Sequence, residues 1–472
     1  MKTFIGGEWR DKPEKIEVLN PFDGSLVDTV PRGDAADVDA AVSAAVEGAK
    51  IMRKMPAYDR AQILFKAAAL VAERAEELGQ IISQEEGKVL AEGLVEATRA
   101  AEIIQLSAEE AKRLNGEVLP LDAAPGATGK LGFTLRVPCG VVAAVTPFNF
   151  PLHLVCHKVG PAIAGGNAVI LKPASDTPLS GLKLVEIMLD AGVPPLAISC
   201  VTGPGSTVGD SLCADPRVRK ISFTGSYEVG DQICKAAGMK KVTMELGSNA
   251  PLVVMDDADL EKVAELAAMT GFSNAGQVCI STQRIFVDQA VYDDFVGTLT
   301  SRVEKITTGN QLAEGIGMGP MIRESDAVRV HEWIHEAVGA GARLVTGGAR
   351  NGSIVEPTVL ADVEPSMRVA REEIFGPAVG VSRFSDIDQA IAYANDTSYG
   401  LSAAIFTQDV DRAMRFAQEC ESGNIHINWG CQWRADLMPY GGLKNSGMGK
   451  EGPRYAVQEM TESKMIVMHL KS

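Results

Sequence analysis

No apolar leader stands at the head of this sequence: residues 1–15 are charged and hold no hydrophobic run, so no secretory signal is expected there. No Cys-x-x-Cys pair occurs among the eight cysteines (Cys139, Cys156, Cys200, Cys213, Cys234, Cys279, Cys420 and Cys431), which argues against a cysteine-rich metal centre. The two absences together predict reduced thiols and a cytoplasmic protein. Basic residues are in deficit, 45 against 61 acidic ones for a net charge of −16, and the Lys and Arg are scattered. A chain this acidic repels phosphate backbones, so nucleic acid is excluded as the main partner. One stretch, residues 137–157, lacks every Asp, Glu, Lys and Arg and is long enough to cross a bilayer. Pro138, Pro147 and Pro151 would each remove a backbone donor in lipid, and Asn149, His153 and His157 would each need a polar partner there. A buried strand running into a polar turn and then a helix fits better. Internal repeats and low-complexity tracts are also lacking.

What is present is 472 residues with 46% hydrophobic and 22% charged side chains, enough chain for two to four units at roughly 100 to 200 residues each. Residues 36–54, 59–77 and 91–114 are rich in Ala, Glu and Lys, with Ile63, Leu64, Ala67 and Val71 at helix spacing; they read as amphipathic covers for a sheet. Short apolar runs then alternate with helical stretches at 141–145, 169–171, 198–201, 218–223 and 242–246, which predicts a parallel, doubly wound sheet. A second alternation, at 251–254, 284–287, 343–346, 378–384 and 403–407, predicts a second α/β domain. Residues 115–130, rich in Gly, Pro and Ala, read as an excursion, and 464–470 as an added strand.

Three local features could carry chemistry. The run 221–223 leads into Thr224, Gly225 and Ser226 and then a helix containing Gly230. Glycine lets backbone approach a ligand, and the free amides at a helix start suit a pyrophosphate. A rival loop, Gly203-Pro204-Gly205-Ser206-Thr207-Val208-Gly209, also follows a strand, but its last glycine falls one position late for the dinucleotide fingerprint. Cys279 alone among the cysteines sits in a Gly-led polar turn, where a thiolate could act as nucleophile; by itself a cysteine is far more often a small buried hydrophobe, the reading given to the other seven. Glu245 ends a strand, where α/β folds place catalytic groups, although a solvated rim carboxylate would look the same.

Pro147-Phe148-Asn149-Phe150-Pro151, Lys172-Pro173-Ala174-Ser175, Phe223-Thr224-Gly225-Ser226, Glu245-Leu246-Gly247, Gly276-Gln277-Val278-Cys279, Glu373-Ile374-Phe375-Gly376-Pro377 and Pro439-Tyr440-Gly441-Gly442 occur in this order. The chain thereby resembles the aldehyde dehydrogenase superfamily essentially end to end, and its cysteine context resembles the lactaldehyde dehydrogenase-like branch. The resemblance implies an α/β fold with two doubly wound parallel-sheet domains plus a small β oligomerisation domain. The implied division is 1–114 with 131–246 for NAD(P) binding, 247–452 for catalysis, and 115–130 with 453–472 for oligomerisation. It implies a homodimer or homotetramer in which the C-terminal strand extends a neighbour's sheet.

By the same resemblance, Cys279 attacks the aldehyde, Asn149 stabilises the oxyanion and Glu245 activates the hydrolytic water. Retention of that base argues against acyl transfer to coenzyme A. Glu373 is expected at the nicotinamide ribose with Phe375 nearby, Lys172 at the adenosine ribose and Ser226 at the pyrophosphate; Thr146, Pro147, Phe148, Gly225 and Leu246 complete the cofactor side. Ser175 stands where NAD-strict relatives commonly carry glutamate, so NADP is expected to be accepted, with a lean towards NADP over NAD. One departure is Ser248, where the family has a second glycine. Arg99, His157 and Arg434 are polar where the family often has apolar walls. They predict a small polar or anionic aldehyde, such as lactaldehyde, phosphonoacetaldehyde, sulfolactaldehyde, glyceraldehyde 3-phosphate or succinate semialdehyde. Two other classes compete. His331-Glu332-Trp333-Ile334-His335 matches a zinc-hydrolase motif but lacks a third ligand, so no metal is expected; a non-catalytic relative of the same fold is disfavoured because Cys279, Glu245 and Asn149 are all present.

Overall fold

The computed structural model describes residues 1–470. Its first sheet has eight strands in the order Glu8–Arg10, Thr3–Ile5, Ile198–Cys200, Ala168–Lys172, Val141–Val145, Lys220–Thr224, Lys241–Glu245, Gly447–Met448. The middle five are parallel. Val141–Val145, Ala168–Lys172 and Lys220–Thr224 are buried at every position, the pattern of strands covered on both faces. Successive strands step outward from Val141–Val145 and then restart on its other side at Lys220–Thr224. The carboxyl ends of those two strands therefore flank the switch point, where a doubly wound sheet opens a crevice.

The second sheet has seven strands in the order Arg343–Thr346, Thr358–Ala361, Ala378–Phe384, Thr282–Asp288, Ala250–Val254, Ser402–Phe406, Asn424–Ile427, parallel except for the first. A three-stranded antiparallel sheet joins Thr461–His469, Lys130–Pro138 and Val118–Leu119. Both expected alternations and the added C-terminal strand are thus present. No helix among the described residues is long and apolar enough to cross a membrane.

The helices expected in the first third are present, at Ala35–Lys54, Ala57–Glu73 and Leu90–Ala111, and two hairpins precede them, Thr3–Ile5 with Glu8–Arg10 and Lys15–Leu19 with Leu26–Pro31. The sequence division needs correction, because it cuts through structural units. Lys130–Pro138 pairs along its whole length with Thr461–His469 and belongs to the small sheet, not to the first. Gly447–Met448 joins the first sheet beside Lys241–Glu245, and the helix Pro453–Glu459 packs on the helices Leu90–Ala111 and His153–Ala164. Long-range strand pairing decides these assignments, and pairing leaves no mark in local composition.

Candidate active site

The chain passes from one sheet to the other in the four residues between Lys241–Glu245 and Ala250–Val254. Glu245 therefore lies at the carboxyl edge of the first sheet, while Cys279, just ahead of Thr282–Asp288, lies at the amino edge of the second. Both line one cavity of about 360 Å³, together with Phe150, Arg99, Arg434, Tyr440 and Lys88.

The turn carrying the cysteine is conformationally unusual. Asn274, Ala275 and Gly276 have successive φ values of 50°, 53° and 70°, and a Cβ on Gly276 would stand 2.2 Å from the Gly376 carbonyl oxygen. Two non-glycine residues in the left-handed region cost about 1–3 kcal/mol each unless their surroundings hold them. Here the side-chain amide of Asn274 donates to Glu86 Oε1 (2.9 Å) and to the Asn149 carbonyl (3.2 Å), and its backbone N–H donates to Glu92. The Asn149 carbonyl also accepts from the buried Lys88 ammonium (2.7 Å), which Glu96 neutralises. Asn149 Nδ2 donates to the Gln277 carbonyl at 2.8 Å, which ties the expected oxyanion donor to the cysteine turn.

Cys279 Sγ lies 3.3 Å from the Tyr440 hydroxyl. Burial pushes the thiol up to about 12; the Tyr440 hydrogen bond opposes that rise, and the carboxyls of Glu245 and Glu373 add to it. Glu245 is buried with neither carboxyl oxygen hydrogen-bonded. Desolvation, then Glu451, holds its pKa well above the usual carboxylate range, with Arg434, Lys158 and Lys450 opposing. The resting acid is therefore protonated well above the pH at which an exposed glutamate ionises.

Arg99 and Arg434 line the cavity, but neither is a free cation. Arg99 donates to both oxygens of Asp436 (2.8 and 3.3 Å), not to Glu96 or Glu102 of its own helix. Arg434 pairs with Glu451 at 3.1 Å and lies 3.8 Å from Asp436, and its buried Nε–H has no hydrogen-bond partner. His157 is not a cavity residue. Its Nδ1 accepts from Arg434 Nη2 (3.2 Å) and its Nε2 faces Asp436 Oδ1 (3.3 Å), so it braces Arg434 from behind. That pattern fixes the Nε2–H tautomer of a ring kept neutral by burial and by Arg434. His153 reaches the same Asp436 oxygen (3.2 Å).

His153, His157 and Asp436 form the one group of metal-ligating side chains close enough to share an ion among the described residues. They do not fit one: Asp436 Oδ1 already accepts from Arg99, and two guanidiniums would stand in the ion's shell. His331 and His335 share a face of the helix Glu324–Gly339, but His331 Nδ1 contacts the Gly348 carbonyl (3.0 Å) and no third ligand joins them among the described residues.

At the switch point, Thr146, Pro147 and Phe148 leave one strand while Gly225 and Ser226 leave its neighbour. Ser226 caps the helix Tyr227–Ala237, accepting from the Val229 N–H. Leu246 donates its N–H to the Ser446 carbonyl (2.9 Å), and its side chain fills the space beside Gly230. Lys172 is buried and its pKa is lowered to about 8 by that burial; its ammonium donates to the Pro173 carbonyl. Ser175 donates to the Gly203 carbonyl (3.0 Å), which brings the rival glycine loop beside it, and Asp176 is ion-paired with Arg323. Phe375, at φ 45°, meets Phe148 edge to face, with ring centroids 5.9 Å apart. Glu373, raised to about 7 mainly by burial, accepts from the Ser248 N–H (2.8 Å). A Cβ at Gly247 would lie 2.2 Å from Glu373 Oε2, whereas Ser248 is not left-handed. The need for glycine thus falls on 247, and the departure at 248 is accommodated.

Sequence reasoning missed Lys88, Asn274 and the contact of Tyr440 with Cys279, whereas Asp436 beside Arg434 follows from their closeness in the chain. Only Tyr440 had left a signal, in its motif.

The model of the aldehyde dehydrogenase family matches residues 9–466. A 3-sulfolactaldehyde dehydrogenase from Priestia aryabhattai is 46% identical over 467 residues, covering 99% of this chain and 98% of that protein. Among solved structures, aldehyde dehydrogenase 21 from Physcomitrella patens in complex with the reaction product succinate has a TM-score of 0.96 at 39% identity, covering 99% of this chain and 98% of that one. The NADP-dependent glyceraldehyde-3-phosphate dehydrogenase from Bacillus halodurans C-125, complexed with NADP, has a TM-score of 0.97 at 37% identity, covering 100% and 99%.

Proposed function

The chain belongs to the aldehyde dehydrogenase family, and from that premise we propose that it oxidises a small polar or anionic aldehyde to the carboxylic acid with NADP or NAD. The observation that carries the substrate class is Arg434: a buried guanidinium in the wall of the Cys279 cavity, with an Nε–H that no protein atom accepts. The carboxylates that pair with Arg434 are Glu451 and Asp436, and with Glu245 protonated no further carboxylate meets its Nε–H. The related proteins named above act on 3-sulfolactaldehyde or glyceraldehyde 3-phosphate, or bind succinate, all anionic.

The chemistry follows from the side chains. Cys279, once its proton is lifted, adds through sulfur to the aldehyde carbon, and the oxygen takes up the electron pair as a thiohemiacetal oxyanion. The Asn149 side-chain amide and the Cys279 N–H stabilise that charge. Bound nicotinamide supplies the acceptor for the hydride that leaves carbon. The thioester on Cys279 is then opened by a water whose proton Glu245 accepts, which releases the acid and returns the thiol. Support for a dinucleotide on the first sheet comes from the buried Thr146 hydroxyl, left without a partner, and from the helix that starts after Ser226 at the switch point. Lys172, Ser175, Glu373 and Phe375 would hold its riboses, with Pro147, Phe148, Gly225 and Leu246 around them. Serine at 175 and the pairing of Asp176 with Arg323 leave no free negative charge to repel a 2'-phosphate. We read the first sheet as the cofactor unit, the second as the catalytic unit and the small sheet as the site of self-association.

Specificity constants for 3-sulfolactaldehyde, succinate semialdehyde, glyceraldehyde 3-phosphate and propanal test the substrate class in the parent and in Arg434→Met. Loss of one charge-assisted contact costs about 2–5 kcal/mol, so the anionic aldehydes should fall by tens-fold or more while propanal barely changes. A parent enzyme that prefers hexanal or benzaldehyde to every anionic aldehyde would overturn it.

A further inference from the structure

Tyr440 stands apart from the residues whose roles the motifs suggest. Its ring is 3% exposed, walled by Val278, Ile280 and Leu401. Its backbone is fixed on both sides by Glu451, whose N–H donates to the Tyr440 carbonyl (2.7 Å) and whose carbonyl accepts from the Tyr440 N–H (3.2 Å). Glu451 also anchors Arg434, and the Arg434 guanidinium lies 3.9 Å from the centre of the tyrosine ring. Among the described residues the phenol oxygen has a single hydrogen-bond partner, Cys279 Sγ.

We propose that Tyr440 is a catalytic residue whose hydroxyl donates to the sulfur of Cys279 whenever that sulfur carries negative charge, in the free thiolate before attack and in the thiolate expelled when the thioester is hydrolysed. The thiol has a proton of its own and can either give or accept this bond; the thiolate can only accept, so ionisation turns the contact into a charge-assisted one. No other side-chain donor reaches the sulfur in the described residues. The cation over the ring withdraws charge from the phenol and makes its O–H the better donor, while burial keeps the phenol itself protonated. No atom is transferred: the phenol keeps its proton throughout.

The proposal rests on Cys279 as the nucleophile of the proposed reaction, and its test needs neither aldehyde nor cofactor. The rate at which iodoacetamide alkylates Cys279 is followed across pH, with peptide mass spectrometry to separate Cys279 from the other seven cysteines. Tyr440→Phe should move the midpoint up by about one pH unit, the effect of one hydrogen bond to a charged group, and slow alkylation below the midpoint about tenfold. Replacing Tyr440 with 3-fluorotyrosine, which keeps the shape and strengthens the donor, should move the midpoint down. A purely structural role would shift neither. An unchanged midpoint in both variants, or shifts in the same direction, would overturn the proposal. Persistent aldehyde oxidation by Cys279→Ala would instead overturn the nucleophile assignment, so the two failures are distinct.

Discussion

Cys279 and Glu245 sit in the same desolvated cavity, yet they are needed at different moments, which makes them separable by kinetics. Cys279→Ala should abolish oxidation. Glu245→Gln should still form thioester, so rapid mixing with one equivalent of enzyme should give a burst of reduced cofactor followed by slow turnover; parent-like steady turnover would remove Glu245 from deacylation. The sign of the pH dependence follows from burial. Because the folded-state pKa of Glu245 is raised, the base form is scarce at low pH and grows as pH rises, so parent steady turnover should climb with pH and the glutamine variant should lose that climb. Ser175 sets a second test. Ser175→Glu places a carboxylate where the 2'-phosphate would lie and should shift the ratio of specificity constants towards NAD; an unchanged ratio would separate position 175 from cofactor choice.

Among the elements, the strands of both parallel sheets were legible because burial on two faces demands continuous apolar runs, and the runs at 141–145 and 251–254 leave little else to be. The N-terminal hairpins were not. Glu8–Arg10 and Lys15–Leu19 carry charge and expose half their faces, and they exist because a sheet edge and a partner strand are available to them. The motifs brought Asn149, Glu245 and Cys279 into view without showing how they are held. Asn149 is braced by Lys88 and Asn274, and Asp436 is shared by Arg99, His153 and His157, pairings that cross between 61 and 337 positions of sequence. Neither Glu96 on its amphipathic helix nor Lys88 in the short link ahead of that helix gives a local sign that it will be buried and paired. Nor did the sequence show that His157 serves Arg434 and not the substrate, since that depends on which side of the helix the loop holding Arg434 settles.

At the scale of the whole molecule, Thr461–His469 is an edge strand, paired on one side with Lys130–Pro138 and bare on the other. Met465 and Val467 are 41% and 42% exposed on it, an apolar edge of the kind that recruits another strand. Met465→Lys combined with Val467→Lys should lower the mass measured by light scattering to that of a single chain; an unchanged mass would show that association, if present, uses another surface. The site itself is assembled from distant parts of the chain. Asn149, Glu245 and Cys279 lie within residues 149–279, whereas Tyr440 on the sulfur, Ser446 on the Leu246 amide and Glu451 beside Lys158 and Arg434 all lie within residues 440–451. A displacement of that one short segment therefore reaches the sulfur, the turn between the two parallel sheets and the anchor of the cavity arginine together.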